Sequence, residues 1–382
     1  MNRRSFLLSL PALYGGTLFA APSAPSRFLL VFLRGGYDAA NVLVPISSAD
    51  YYAARPNIAI PRDACKVLDA EWGLHPALAE IHAMYARREA AFIAFAGTDD
   101  TSRSHFETQD TIELGQPLTA RSYASGFMNR LAAEIGGRGA IAFGNQLPVA
   151  FRGPAPVANV ALMAPKPAVD ARESALIAGM YRGSQLEAPV AEGFAAREAV
   201  MKELGEEMVA ANRNAVTPRA FETQVKRVAR LMRGDYRLAF VDVGGWDTHV
   251  GEGGVQGQLA TRLEALGSGL SMFAGAMGDA WRDTVVLVIS EFGRTFRENG
   301  NRGTDHGHGT VYWALGGALA GGRIAGEQLR VTRGTLFQDR DYPVLNDYRA
   351  LLGGLFARLY GLQPEALARV FPRSTPRDLA LI

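Results

Sequence analysis

Four apolar runs of strand length, at residues 27–33, 90–96, 237–243 and 284–289, carry few polar residues and show no alternation. A strand with one wet face alternates apolar and polar side chains, so these runs are expected to be covered on both faces. Stretches with helical apolar spacing at 76–88 and 256–281 give a strand, helix, strand order. The expected class is α/β, with a central, mostly parallel sheet flanked by helices. A further apolar run at 311–315 follows a glycine-rich loop. Residues 165–235 change to long polar-apolar stretches at 192–212 and 218–233, read as a helical insertion within one domain spanning 27–382. In the second stretch Phe221, Val225, Val228, Leu231 and Met232 recur at helical spacing and are expected to face a core.

The first residues carry a different message. Arg3 and Arg4 precede Ser5, Phe6 and an apolar run to Ala21, followed by small residues and prolines. That is the order of a signal peptide, with cleavage after Ser23 or Ser26. The paired arginines resemble the twin-arginine consensus, an address read by a receptor. The expectation is a signal peptide at 1–26 and a periplasmic or secreted protein, exported folded by the twin-arginine translocase. A membrane anchor fits poorly, because the run falls short of the roughly 20 residues a span needs and contains Pro11, Gly15 and Gly16. No later segment reads as a span.

Lys and Arg total 40 against 38 Asp and Glu, which offers nothing for nucleic acid to recognise. Cys65 is the only cysteine, so an intramolecular disulfide and a thiolate metal cluster are both excluded.

In open α/β sheets, functional groups gather in loops at the carboxyl ends of strands. The run at 27–33 leads into Arg34-Gly35-Gly36-Tyr37-Asp38, where Asp38 is either a ligand at the sheet edge or a helix cap. The run at 237–243 leads into Gly244-Gly245-Trp246-Asp247-Thr248-His249. In an extended loop Asp247 and His249 can converge on one ion, whereas on a helix they would diverge. The run at 284–289 leads into Ser290-Glu291-Phe292-Gly293-Arg294, where Glu291 is either functional or half of a structural pair with Arg294. The densest motif is Gly303-Thr304-Asp305-His306-Gly307-His308-Gly309, with Asp305, His306 and His308 separated by glycines that let the backbone turn several ligands inward. After the run at 90–96 come Thr101, Ser102, Arg103, Ser104 and His105. These are the catalytic candidates: hydroxyls at a helix start that serve as nucleophiles or caps, and an arginine able to hold an anion.

Together, GGYD, SRSHF, GGWDTH, SEFGRT and GTDHGHG resemble the domain-of-unknown-function 1501 family, secreted bacterial proteins related to the alkaline phosphatase and sulfatase superfamily. The resemblance covers nearly the whole chain after the signal. It implies an alkaline phosphatase-like sheet flanked by helices, with a two-metal hydrolytic site at its carboxyl edge. Asp38 is then the first-strand ligand, Asp247 and His249 share an ion, and His306 or His308 supplies a further imidazole. The nucleophile falls among Thr101, Ser102 and Ser104. Where phosphatases carry Asp-His-Gly, this chain has Glu291-Phe292-Gly293, which weakens one metal site unless Asp305 or His306 replaces the missing imidazole. The implied activity is metal-dependent hydrolysis of phosphate or sulfate esters, on a small-molecule or envelope substrate. The donors suit zinc or manganese, as one or two ions. The alternative is a non-catalytic cell-envelope binding protein on a sulfatase-like scaffold.

Overall fold

The computed structural model describes residues 26–137, 139–162 and 212–382. The expected signal peptide, apart from Ser26, and residues 165–211 of the expected insertion lie outside them. The strands are β1 Arg27–Leu33, β2 Leu43–Val44, β3 Lys66–Val67, β4 Gly73–Leu74, β5 Ala90–Gly97 and β6 Ala140–Phe143. They continue as β7 Val157–Asn159, β8 Leu238–Val243, β9 Thr284–Ser290, β10 Thr310–Gly316, β11 Arg323–Ala325 and β12 Asn346–Asp347.

The central sheet runs β11-β5-β10-β9-β1-β8-β6-β7, with β12 paired to the end of β5, and β2, β4 and β3 form a small separate sheet. Every pairing in the central sheet is parallel except those of β10, which runs antiparallel to both β5 and β9. That reversal matters for function. It brings the loop before β10 to the same edge as the loops after β1, β5, β8 and β9.

The continuous apolar runs are explained by the two-sided core. In β1, Leu29, Val31 and Leu33 enter one hydrophobic cluster while Phe28, Leu30 and Phe32 enter the other. Each fully buried Leu or Phe contributes about 1.5–3 kcal/mol of transfer free energy. Helices Ala79–Ala86, Pro218–Arg233 and Gln258–Met277 cover the first face. Helices Phe127–Glu134, Tyr348–Tyr360 and Pro364–Val370 cover the second.

Local chemistry sets the helix ends. Helix Pro218–Arg233 starts with Pro218 at its first position and the Thr217 side chain accepting from the Ala220 amide, and Arg230 and Arg233 lie in its last turn. Its Phe221, Val225, Val228 and Met232 are buried, with Leu231 half-buried against them. The stretch at 76–88 divides into a 3-10 turn, Pro76–Leu78, capped by His75, and the helix Ala79–Ala86. The stretch at 256–281 becomes helical only at Gln258, after Gly257 at positive φ, and at Gly278, also at positive φ, the α-helix gives way to a 3-10 helix, Gly278–Asp283. Among the described residues no helix is long and apolar enough to cross a membrane.

Candidate metal centre

The motif-bearing loops are locked together by backbone contacts. Gly35 has φ +120°, and a Cβ there would lie 2.6 Å from the Asp247 nitrogen, so only glycine lets the first loop approach the GGWDTH loop. The Gly35 amide also donates to Glu291 Oε1 at 2.8 Å. Arg294 and His306 form an antiparallel bridge, with Thr295 N donating to Asp305 O and Gly307 N to Gly293 O, each at 2.9 Å. Thr304 N donates to Thr248 O at 3.1 Å, tying the late loop to the loop after β8.

Three imidazoles converge where these loops meet. His306 Nε2 lies 2.9 Å from His105 Nε2 and 3.0 Å from His249 Nε2. Asp247 joins them: Oδ1 is 2.9 Å from His249 Nε2 and 3.4 Å from His306 Nε2, while Oδ2 is 3.5 Å from His105 Nε2. Ligand atoms of His105, Asp247 and His306 all fall within 4.8 Å of one another. Phe292 stacks beneath, its ring centre 4.9 Å from that of His105 and 5.2 Å from that of His306.

The opposite nitrogen of each ring explains the orientation. Nδ1 of His105 faces Glu291 Oε1 at 2.8 Å, Nδ1 of His306 faces the Arg103 carbonyl at 3.0 Å, and Nδ1 of His249 faces Asp305 Oδ1 at 3.3 Å. An acceptor at Nδ1 holds the proton there and leaves the Nε2 lone pair pointing into the cluster. These lone pairs and the Asp247 carboxylate, 2.9–3.5 Å apart, repel one another unless a proton or a metal cation lies between them. The group His105, Asp247 and His306, with His249 Nε2 adjoining it at 3.0 Å from His306 and 2.9 Å from Asp247, and each imidazole held by an outer acceptor, could hold a zinc-like divalent ion.

Ionisation follows the same logic. Burial disfavours charge on His105, but hydrogen bonds to Asp247 and Glu291 outweigh it and push its pKa up to about 9. Burial lowers that of His306, and the neighbouring charge of His105 adds to the effect. Burial also disfavours charge on Glu291, yet the hydrogen bond and charge of His105 and the Gln109 amide bring it down to about 2. Asp247 is held well below the carboxylate range by bonds to His105, His249 and His306 and the charge of Arg294, against the opposing effect of burial. Without an ion, a proton on His105 relieves the crowding, and an ion would displace it.

Not every candidate joins the cluster. Asp38 is fully buried and gripped on both oxygens by Arg55, so the structure places it in an ion pair rather than at the ligand set. His308 packs against Phe337 at 4.9 Å between ring centres and sits apart from the three converging imidazoles. Glu291 and Asp305 stand behind His105 and His249 as orienting acceptors. Glu291 pairs with His105, and Arg294 instead donates to Asp247. Arg103 directs its guanidinium to Asp341 at 2.7 Å, leaving its carbonyl, turned by a left-handed φ of 55°, for His306. Ser102 Oγ meets Thr108 Oγ1 at 3.4 Å, Ser104 begins helix His105–Leu114 without a side-chain cap bond, and Thr101 is exposed. None of the three hydroxyls hydrogen-bonds to a cluster residue among those described.

His105, taken with the catalytic hydroxyls on sequence grounds, therefore stands among the converging ligand groups. Gln109, four residues on along the same helix face, was not foreseen; it donates to Glu291 at 2.9 Å. A cleft of about 470 Å³ opens beside Asp305, lined also by Thr295, Arg297, Arg333 and Arg340.

The model of the family described as "Protein of unknown function (DUF1501)" matches residues 25–371. The chain belongs to the DUF1501 family. No curated protein matches it. Among solved structures, it is similar to a protein in the alkaline phosphatase superfamily from Vibrio parahaemolyticus, at 12% identity and TM-score 0.37. That match covers 79% of this chain and 65% of the other, just under two thirds of its length. A 2-O GAG sulfatase matches at 10% identity and TM-score 0.42, over 89% of this chain and 71% of that one. Ps i-CgsB in complex with k-i-k-neocarrahexaose matches at 10% identity and TM-score 0.41, over 94% and 76%.

Proposed function

We propose that this DUF1501 member is a metal-dependent hydrolase of phosphate or sulfate esters that works outside the cytoplasm. The observation that carries the metal reading is the shared orientation of His105, His249 and His306, each with Nδ1 on an acceptor and Nε2 turned toward Asp247. The ester class rests on the motif resemblance, and the location on the twin-arginine pattern at Arg3 and Arg4.

His105, His249, His306 and Asp247 would hold the ion, with zinc or manganese the best match to nitrogen and oxygen donors. When bound, such an ion supplies Lewis-acid polarisation of an ester oxygen and a water acidified toward neutrality. Glu291, Asp305 and the Arg103 carbonyl keep the imidazoles in the right tautomer. Phe292 excludes water from one side. His249 and His306 are partly exposed and form the open side of the site. A water nucleophile fits this geometry better than Thr101, Ser102 or Ser104, because none of them bonds to the cluster.

The same lack of an engaged hydroxyl favours a second reading, an exported protein that binds an envelope partner without turnover. Assaying the zinc- and manganese-loaded protein on aryl phosphate, phosphodiester and aryl sulfate esters separates the two. Turnover abolished by His306→Ala supports the hydrolase; no turnover of any ester with a fully loaded centre supports binding alone.

A further inference from the structure

A buried polar network borders the centre. Arg55 places all five N–H donors, on both oxygens of Asp38, on Asn41 Oδ1 and on the carbonyls of Thr295 and Phe296. Glu252 Oε2, also fully buried, accepts from the Thr248 and Thr304 hydroxyls at 2.8 and 2.9 Å. Arg294 completes the link to the cluster. Its Nε donates to Thr304 Oγ1 at 3.1 Å, its Nη2 to the Thr304 carbonyl, and its Nη1 to Asp247 Oδ1.

Asp247 Oδ1 therefore lies between the imidazole nitrogens and a guanidinium whose side chain is fully buried. In a two-ion centre a bridging carboxylate touches a cation on each side. Here one side already carries a permanent positive charge, since an arginine does not lose its proton in a protein. The neighbouring acids are already engaged. Asp38 is paired with Arg55, and Glu252 is held by two threonines, the Asn41 amide and a hydrogen bond shared with Asp38.

We propose that the centre takes one divalent ion, and that Arg294 stands on Asp247 where a second ion would stand. This rests on the metal reading of the centre. It makes Arg294 a positioning and charge-balancing residue, and it removes Asp38 from the ligands.

The test counts ions in the full chain, stripped with chelator, reloaded with excess Zn²⁺ and desalted. One zinc per chain is expected for the wild type and for Asp38→Asn. Two in the wild type would overturn the proposal while leaving the metal reading intact, none would remove both, and loss of zinc from folded Asp38→Asn would return Asp38 to the ligands. Cobalt affinity then tests Arg294. Removing a fixed charge beside the ion in Arg294→Met should tighten Co²⁺ binding about tenfold, with Arg294→Lys close to the wild type. Unchanged or weaker binding by folded Arg294→Met would mean that it only orients Asp247, and would overturn the charge-balancing role.

Discussion

His105 Nδ1 lies 2.8 Å from Glu291 Oε1, and the far nitrogen of the same ring faces Asp247 and His306. Glu291 is fully buried and also accepts from Gly35 N and Gln109 Nε2, so it is held firmly while it holds His105. Replacing an outer acceptor of this kind weakens ion binding about 10–100-fold. Glu291→Gln should show a loss in that range when the loaded protein competes with a chromogenic chelator. Wild-type affinity in that variant would mean that Glu291 does not orient the ligand.

Ion binding should also be visible as stability. A ligand that binds only the folded chain, present at a thousandfold over its Kd, adds about 4 kcal/mol. Chelation should therefore lower the melting temperature of the loaded protein. Asp247→Ala should abolish the difference between loaded and stripped samples; a persisting difference would place the ion elsewhere.

Gly35 tests how the loops are assembled. A methyl group at φ +120° costs on the order of 1–3 kcal/mol from the backbone alone, and at 2.6 Å it would push the Asp247 backbone away. Gly35→Ala should lower the urea midpoint and weaken ion binding together. Stability lost without any loss of affinity would separate the turn from the centre.

Cys65 reports on the core away from the site. Burial, helped by the charge of Asp63, pushes its thiol up to about 11. The folded chain thus holds this proton more tightly than the unfolded one. The corresponding stability is complete below the ordinary thiol value and is lost as pH rises through about 11. Alkylation by iodoacetamide should stay slow until that range, whereas a rate rising at the ordinary value of about 8.5 would show the thiol to be accessible.

Much of this architecture is written in the continuous apolar runs, because a strand buried on both faces has no room for polar alternation. The gathering of Asp247, His249 and His306 was legible for a similar reason: glycine-spaced acids and imidazoles beside strand ends have few other uses. The reversed direction of β10 was not, since β10 is buried on both faces like its parallel neighbours and its apolar run reads the same. Nor could the sequence show that Asp38 meets Arg55, a contact made only when the chain folds back at Arg55. His105 was overshadowed by the hydroxyls beside it, and its role depends on the left-handed turn at Arg103 that precedes it. Strands of two or three residues, such as β3 and β12, are too short to show any period.

The central claim is most directly tested by anomalous diffraction from crystals of the zinc-loaded protein. The expected result is a zinc peak about 2.0–2.2 Å from Nε2 of His105, His249 and His306 and from an Asp247 oxygen. A loaded crystal with its zinc elsewhere, or with His105 turned away from it, would contradict the account.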